Sequence, residues 1–293
     1  MRAMVRLSGL FVRICATALA LSGCRSATFE PASFVAGLRV LAVKAEPPDV
    51  APDASTTLTA LAVDTEGRPI SIAWSVCLLV PPLGKTLHPD CLADDAGASV
   101  IALGTGPDAS FTMPAIDLSA YGRSDTTGGF YIPILARAAA GDATVTALYQ
   151  LRVNSGGALN QNPAFENLFV VTSGDGGVEI LTPLDDAGLV IRERDEWTLR
   201  PTFADGGIET YTVRSGDASV DATETMSISW FATAGGWSSE RTYGTGPDVV
   251  FKMPPRADEP AHVPDSGALI DIWVVVRDNR GGVDYVHRTL RFE

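Results

Sequence analysis

Cationic residues are scarce in this chain, with 22 Lys and Arg against 35 Asp and Glu and a formal charge of −13. A surface that tracks phosphates needs the opposite balance, so the composition argues against nucleic acid as a partner. Histidine occurs only as His88, His262 and His287, and no His-Glu-x-x-His zinc signature is present. No Gly-x-Ser-x-Gly elbow occurs either, which removes the usual strand-turn-helix nucleophile of serine hydrolases. Outside the first two dozen residues no apolar run approaches the ~20 residues that cross a bilayer. Long helices have little room, because Pro47, Pro48, Pro52, Gly67, Pro69, Gly84, Gly104, Gly106 and Pro114 punctuate the first half. What is present is a folding chain. Its 46% hydrophobic content can offset ordering entropy, and 293 residues at roughly 150 per domain suggest two domains.

Arg2, Arg6 and Arg13 precede the apolar stretch Ile14 to Leu21 and the small residues Ser22 and Gly23, the layout of a secretory signal. Leu21-Ser22-Gly23-Cys24 resembles the lipobox of bacterial lipoproteins, which implies cleavage before Cys24 and diacylglycerol on its thiol. The resemblance also implies a destination: Asp after the lipidated Cys retains such proteins in the inner membrane, and here Arg25 points to the outer one. Cleavage takes away three Arg and no acid, leaving 19 basic against 35 acidic residues, or −16. Anionic headgroups repel such a surface, so membrane attachment would rest on acyl chains.

With Cys15 in the signal and Cys24 acylated, Cys77 and Cys91 remain. In an oxidising compartment they are expected to form a disulfide closing a loop of about fifteen residues, worth roughly 3 kcal/mol in the chain-entropy model. The competing reading is a metal site in the order Cys77, His88, Asp90, Cys91, a spacing that fits no zinc pattern.

The sequence repeats. Gly104-Thr105-Gly106-Pro107-Asp108-Ala109-Ser110-Phe111-Thr112-Met113-Pro114 returns 140 residues later as Gly244-Thr245-Gly246-Pro247-Asp248-Val249-Val250-Phe251-Lys252-Met253-Pro254, with eight of eleven positions identical. Thr57-Leu58 matches Thr198-Leu199, Ser71-Ile72-Ala73-Trp74 matches Ser227-Ile228-Ser229-Trp230, and Arg137 and Gly141 are aligned with Arg277 and Gly281. The changing offsets place one insertion before Trp230 and another after Trp74, the latter holding Cys77 to Cys91. Within each copy the period is two: Val145, Ala147, Tyr149, Leu151 and Val153 alternate with Thr144, Thr146, Leu148, Gln150 and Arg152, as in a strand with one buried face. Residues 270–276, the turn Asp278-Asn279-Arg280-Gly281-Gly282 and residues 283–292 read as a hairpin.

A Trp-bearing strand, a Phe-x-Met-Pro strand and a final hairpin containing Ile272-Trp273-Val274-Val275-Val276-Arg277-Asp278 resemble the bacterial immunoglobulin-like modules, PKD-like ones among them, of surface lipoproteins. The expected fold is all-β, two tandem antiparallel immunoglobulin-like β-sandwiches. The boundaries are a signal over 1–23, a lipidated terminus and linker over 24–36, sandwich one over 37–153, a flexible linker over 154–164 and sandwich two over 165–293. Trp74 and Trp230 are expected as core residues.

Candidate chemistry is thin. Gly104 to Ala109 matches a loose dinucleotide pattern but precedes a strand, and Gly84-Lys85-Thr86 lacks the first glycine of a phosphate loop. Asp185-Asp186, Glu193 to Glu196, Asp94-Asp95 and the turn from Asp278 to Asp284 could offer oxygen ligands to calcium, but none forms an Asp-x-Asp-x-Asp-Gly loop, and a solvated acidic surface explains them. Trp237, in Ala234-Gly235-Gly236-Trp237-Ser238-Ser239-Glu240, and Tyr121 and Tyr211 are the possible ligand-binding aromatics, with packing of Trp237 on its own domain as the other reading. No cofactor or metal is expected. The sequence reads as a non-catalytic, lipid-anchored envelope protein for adhesion, interaction or scaffolding, with an unknown envelope protein or glycan as partner. The alternative is a carbohydrate-binding lipoprotein using those aromatics.

Overall fold

The computed structural model describes residues 30–82, 84–93, 99–115, 127–154, 159–185, 189–215 and 218–293. Cys24, Tyr121, Asp94-Asp95 and Asp186 lie outside the described residues. In the first half the turn-punctuated segments become β1 (Leu38–Glu46), β2 (Asp49–Val50), β3 (Ser55–Asp64), β4 (Ser71–Cys77), β5 (Val100–Thr105), β6 (Asp108–Thr112), β7 (Gly129–Ala140) and β8 (Ala143–Asn154). They form two sheets, ordered β1-β3-β6 and β2-β8-β7-β4-β5. The second half comprises β9 (Phe165–Ser173), β10 (Glu179–Pro183), β11 (Val190–Ile191), β12 (Glu196–Phe203), β13 (Thr210–Ser215), β14 (Ala218–Thr223), β15 (Ser227–Ala232), β16 (Gly236–Trp237), β17 (Arg241–Tyr243), β18 (Val249–Lys252), β19 (Leu269–Arg277) and β20 (Val283–Phe292). Its sheets are ordered β10-β9-β12-β18-β16 and β11-β20-β19-β15-β17, with β13 and β14 as a separate hairpin. The protein is all-β.

Both halves share one plan. A first strand pairs within the smaller sheet of its half (β1) or inside the β10 edge (β9), then the chain crosses so that a two-residue strand runs parallel to the last one, β2 on β8 and β11 on β20. The other named ladders are antiparallel, so these two short edges are the departures from the purely antiparallel expectation. Pro47 and Pro48 lack the N–H that would carry β1 onward along β3, which is where the crossing occurs in the first half. In one sheet of each half three strands lie side by side in the same order, β4-β7-β8 and β15-β19-β20, an order consistent with the expected immunoglobulin-like sandwich.

The internal repeat is structural. Leu58 faces Ala109 on β6 while Leu199 faces Val249 on β18, and Thr56 and Trp197 face Phe111 and Phe251. Trp74 and Trp230 are both buried, as are Met113 and Met253. Each indole N–H is satisfied, Trp74 Nε1 donating to the Gly106 carbonyl at 2.9 Å and Trp230 Nε1 to Thr242 Oγ1 at 2.9 Å. One alignment needs correction: Arg137 pairs with Ala73, next to Trp74, whereas Arg277 pairs with Ser227, three residues before Trp230. The two arginines are therefore not equivalent. The first hairpin closes between Ala140 and Ala143 and the second between Arg277 and Val283, so the second turn is longer and the constant offset fails there. The insertion before Trp230 is the β13-β14 hairpin.

The two halves are in contact. Ala32–Glu293 is one compact unit. The apolar cluster around Leu41, Val43 and Trp74 continues into Trp273, Val275 and Val283 of the second half, with Phe231 and Tyr285 packed against it. Strand β1 thus covers part of the outer face of the β15-β19-β20 sheet. Residues 33–35, expected in a membrane-proximal linker, also belong to this body: Val35 is buried, its N–H donates to the Ala232 carbonyl at 2.8 Å, and the Ala232 N–H donates to the Ser33 carbonyl at 2.9 Å.

Candidate functional site

The side chains that depart furthest from the sequence reading meet where the halves join. Strand β8 alternates as expected up to Gln150, but Leu151, Arg152, Val153 and Asn154 are all buried. Arg152, assigned to the polar face, is fully buried because the β19-β20 turn and residues 160–162 roof that end of the strand. An ion needs a partner there, and Arg152 pairs with the equally buried Asp49 of β2.

From this pair a chain of hydrogen bonds runs across the junction. Asp49 Oδ2 also accepts from the Asn160 N–H at 3.1 Å, and Asn160 Nδ2 donates to Asp278 Oδ2 at 3.0 Å. Asp278 Oδ1 accepts from the Arg280 and Gly282 N–H groups at 2.7 and 2.8 Å, which closes the β19-β20 turn on its own first side chain. Arg280 Nη1 lies 3.5 Å from both Glu209 Oε2 and Glu224 Oε1, and its guanidinium stacks 4.6 Å from the Tyr211 ring centre. Glu224 Oε2 accepts from the Glu209 N–H at 2.9 Å. Two glycines make room: a Cβ at Gly129 would overlap the Arg152 guanidinium, and one at Gly282 the Asp278 carboxylate.

In the described part of the segment read as a linker, Asn162 bonds to both halves. Asn162 Nδ2 donates to the Ala45 carbonyl at 2.7 Å and to Glu46 Oε2 at 2.9 Å, while its Oδ1 accepts from the Val283 N–H at 2.8 Å. Asp284 accepts from the Phe165 N–H at 3.0 Å and pairs with Lys44 at 3.0 Å. The polar, Gly-bearing composition reads as a flexible linker; the amides of Asn160 and Asn162 bond to side chains and backbone of both halves.

Four carboxylates, from Asp49, Asp278, Glu209 and Glu224, share this region with two guanidiniums. Burial, reinforced by the charges of Asp278 and Glu209, pushes Glu224 from 4.5 up to about 7. Burial also raises Asp49, outweighing the pull of Arg152 in the opposite direction. Outside the junction the shifts reverse: hydrogen bonds from Arg200 lower Glu179 and Asp248, and that from Arg68 lowers Asp64.

The expected ligand aromatics are placed differently. Trp237 is not on an exposed loop. It belongs to β16, pairs with Phe251, and its ring lies 5.3 Å from that of Trp230 and 4.7 Å from that of Phe251, so its faces are occupied by the core. Tyr211 sits on β13 with its hydroxyl accepting from Asn279 Nδ2 at 2.6 Å and its ring against Arg280, a junction contact. Cys77 and Cys91 form a disulfide with Cα atoms 5.8 Å apart. Their sulfurs are thereby unavailable as thiolates, and the metal reading with His88 and Asp90 falls; His88 Nδ1 accepts from the Asp90 N–H at 3.3 Å. Among the described residues no group of three or more His, Cys, Asp or Glu is gathered to hold a metal ion.

A His–Asp pair does exist: His287 Nε2 lies 2.7 Å from Asp271 Oδ1, with its ring stacked on Trp273. The adjacent hydroxyl, Thr289 Oγ1, donates to that same carboxylate oxygen at 3.2 Å, so it is not presented to the imidazole as a nucleophile would be. The pair lowers the Asp271 pKa and staples β19 to β20. Nothing in the sequence marks Asp49 or Arg152. The long turn from Asp278 and the asparagines at 160 and 162 were the signals that could have located the junction.

No protein-family model matches the chain, and no curated protein matches it. Among solved structures a marsupial T cell receptor aligns with 10% identity and a TM-score of 0.22, covering 86% of this chain and 96% of that one.

Proposed function

We propose that this chain is a non-catalytic, lipid-anchored envelope protein whose two immunoglobulin-like sandwiches act as one rigid module for adhesion, interaction or scaffolding. The observation that carries the reading is the sealed junction. A module that only tethers a partner needs no internal polar network, whereas one that holds a surface at a fixed distance and angle does, and buried ionic groups joining Asp49, Arg152, Asn160 and Asp278 resist bending because any opening strands an ion. The anchor rests on Leu21-Ser22-Gly23-Cys24, and the destination, the outer membrane on its periplasmic or outer face, on Arg25. The reading is supported by the compactness of Ala32–Glu293, in which Ser33 and Val35 are bonded to Ala232.

The test is fractionation of cells expressing the full chain and Cys24→Ala, with radiolabelled palmitate. The parent is expected in the membrane fraction and labelled, the variant unlabelled and soluble. Membrane retention of Cys24→Ala without label would overturn the anchor.

A further inference from the structure

A cleft of about 470 Å3 opens at the seam between β1 and the β15-β17 edge, with Ser33, Arg39, Ser229, Phe231, Glu240 and Arg241 on its walls. Its charge runs against that of the protein. Arg39 donates through Nη1 to the Ala32 and Phe34 carbonyls at 2.9 and 2.7 Å and lies over the Phe231 ring. Arg277, which donates to the Leu41 carbonyl at 2.8 Å and approaches Ser229 Oγ at 3.5 Å, stands behind it. Burial and the like charge of Arg241 both lower the Arg277 pKa, which is what a guanidinium experiences when no acid offsets it. Among the described residues none of Arg39, Arg241 and Arg277 has a carboxylate within 4.0 Å, in a chain where acids outnumber bases 35 to 22. The carboxylate of Glu240, the acid on the wall, accepts from Ser33 Oγ at 3.3 Å.

Register places an aromatic beside these charges. Arg241 is opposite Ser229 and Tyr243 opposite Ser227, so both project from the same face of β17, two residues apart. That face carries Phe231, Val275 and Trp273 against the first half, but it runs past the cover of β1, and Tyr243 is 65% exposed. Guanidiniums with no carboxylate partner among the described residues, a carboxylate that can accept hydroxyls and an open ring are the groups that recognise an acidic sugar: a fork for its carboxylate, an acceptor for its hydroxyls and a platform for the apolar face of the next unit.

We infer that this cleft binds a carboxylated glycan of the uronic acid type, its carboxylate on Arg241 and Arg39, its hydroxyls on Glu240, and the adjoining sugar on Tyr243. The site is independent of the lipid anchor, and it replaces Trp237 as the place where a glycan would be held. The charge complementarity decides for an acidic over a neutral chain.

The full chain, purified in detergent, is titrated calorimetrically with tri-galacturonate and with a neutral galacto-trisaccharide. Binding of the acidic trimer alone is expected, weakening as salt is raised. Arg241→Gln should lose about tenfold or more in affinity, the scale of a charge-assisted hydrogen bond. Tyr243→Ala should weaken the trimer while sparing mono-galacturonate. Both residues are exposed, so an unchanged melting temperature certifies the variants as folded. Equal binding of the neutral trimer, no heat with the acidic one at millimolar concentration, or an Arg241→Gln variant that binds as the parent does would each overturn the assignment. So would binding to phosphatidylglycerol vesicles that Arg241→Gln abolishes while tri-galacturonate fails to compete, since the occupant would then be a lipid headgroup. Cys24→Ala fractionation does not enter these outcomes, so the two readings fail separately.

Discussion

Replacing Asp49 with alanine removes the carboxylate that faces Arg152 at a place where both side chains are fully buried. Arg152 keeps its charge and its bond to Thr127 Oγ1 but loses the buried carboxylate of Asp49, and the Asn160 N–H loses an acceptor. Breaking a buried pair from one side costs about 3–5 kcal/mol, because the remaining ion stays desolvated. For a body of this size about 2–4 °C of melting temperature accompanies each kcal/mol, so Asp49→Ala should melt about 6–20 °C below the parent. The double replacement Asp49→Leu with Arg152→Met behaves differently. Burial raises the Asp49 pKa in spite of Arg152, which means that desolvation outweighs the attraction, and an apolar pair of similar volume should then recover most of the loss. Differential scanning calorimetry on the parent, the single and the double variant measures both numbers. If Asp49→Ala melted within about 2 °C of the parent, the junction would not depend on this pair, and if the double variant were no more stable than the single, desolvation would not outweigh the attraction.

Two further outcomes follow from the same geometry. Glu224 has a folded pKa of about 7, above its ordinary 4.5, so its contribution to stability is complete below pH 4.5 and lost as pH rises through 7, on the order of 3 kcal/mol in all. Urea denaturation between pH 5 and 8 should show this decline, and Glu224→Gln should flatten it; a slope that survives the substitution would point to another group. Ser substituted at both Cys77 and Cys91 should lower stability by about 3 kcal/mol, and dithiothreitol should do the same to the parent and nothing to the variant. An effect of reductant on the variant would refute that account.

The two elements most legible in the sequence are those governed by local pattern. Alternation along β8, the turn residues between strands and the repeated Phe-x-Met-Pro string each depend on neighbours within a few positions, so a single chain reveals them. Trp74 and Trp230 were readable as core for the same reason, since the repeat placed the large ring at one point of both copies. Trp237 was harder. Its small, polar neighbours suggested a loop, and only β18 running alongside shows that the ring fills a gap between Trp230 and Phe251. The cleft with Arg39 and Arg241 combines residues about two hundred positions apart, which no spacing could announce.

Taken alone, the sequence determined the class of fold, its duplication, the disulfide partners and the positions of the two insertions, because strand period, repeated strings and cysteine count are properties of order along the chain. The tertiary structure decided everything that depends on which face remains open. Arg152 occupies a polar slot in an alternating strand, and strand period alone puts it in solvent; it is buried because another sheet's turn arrives from more than a hundred residues away. Asn160 and Asn162 read as linker until their amides are seen bridging two halves. Burial is a sum over everything nearby in space, and a charged side chain acquires its energetic meaning only when that sum is known.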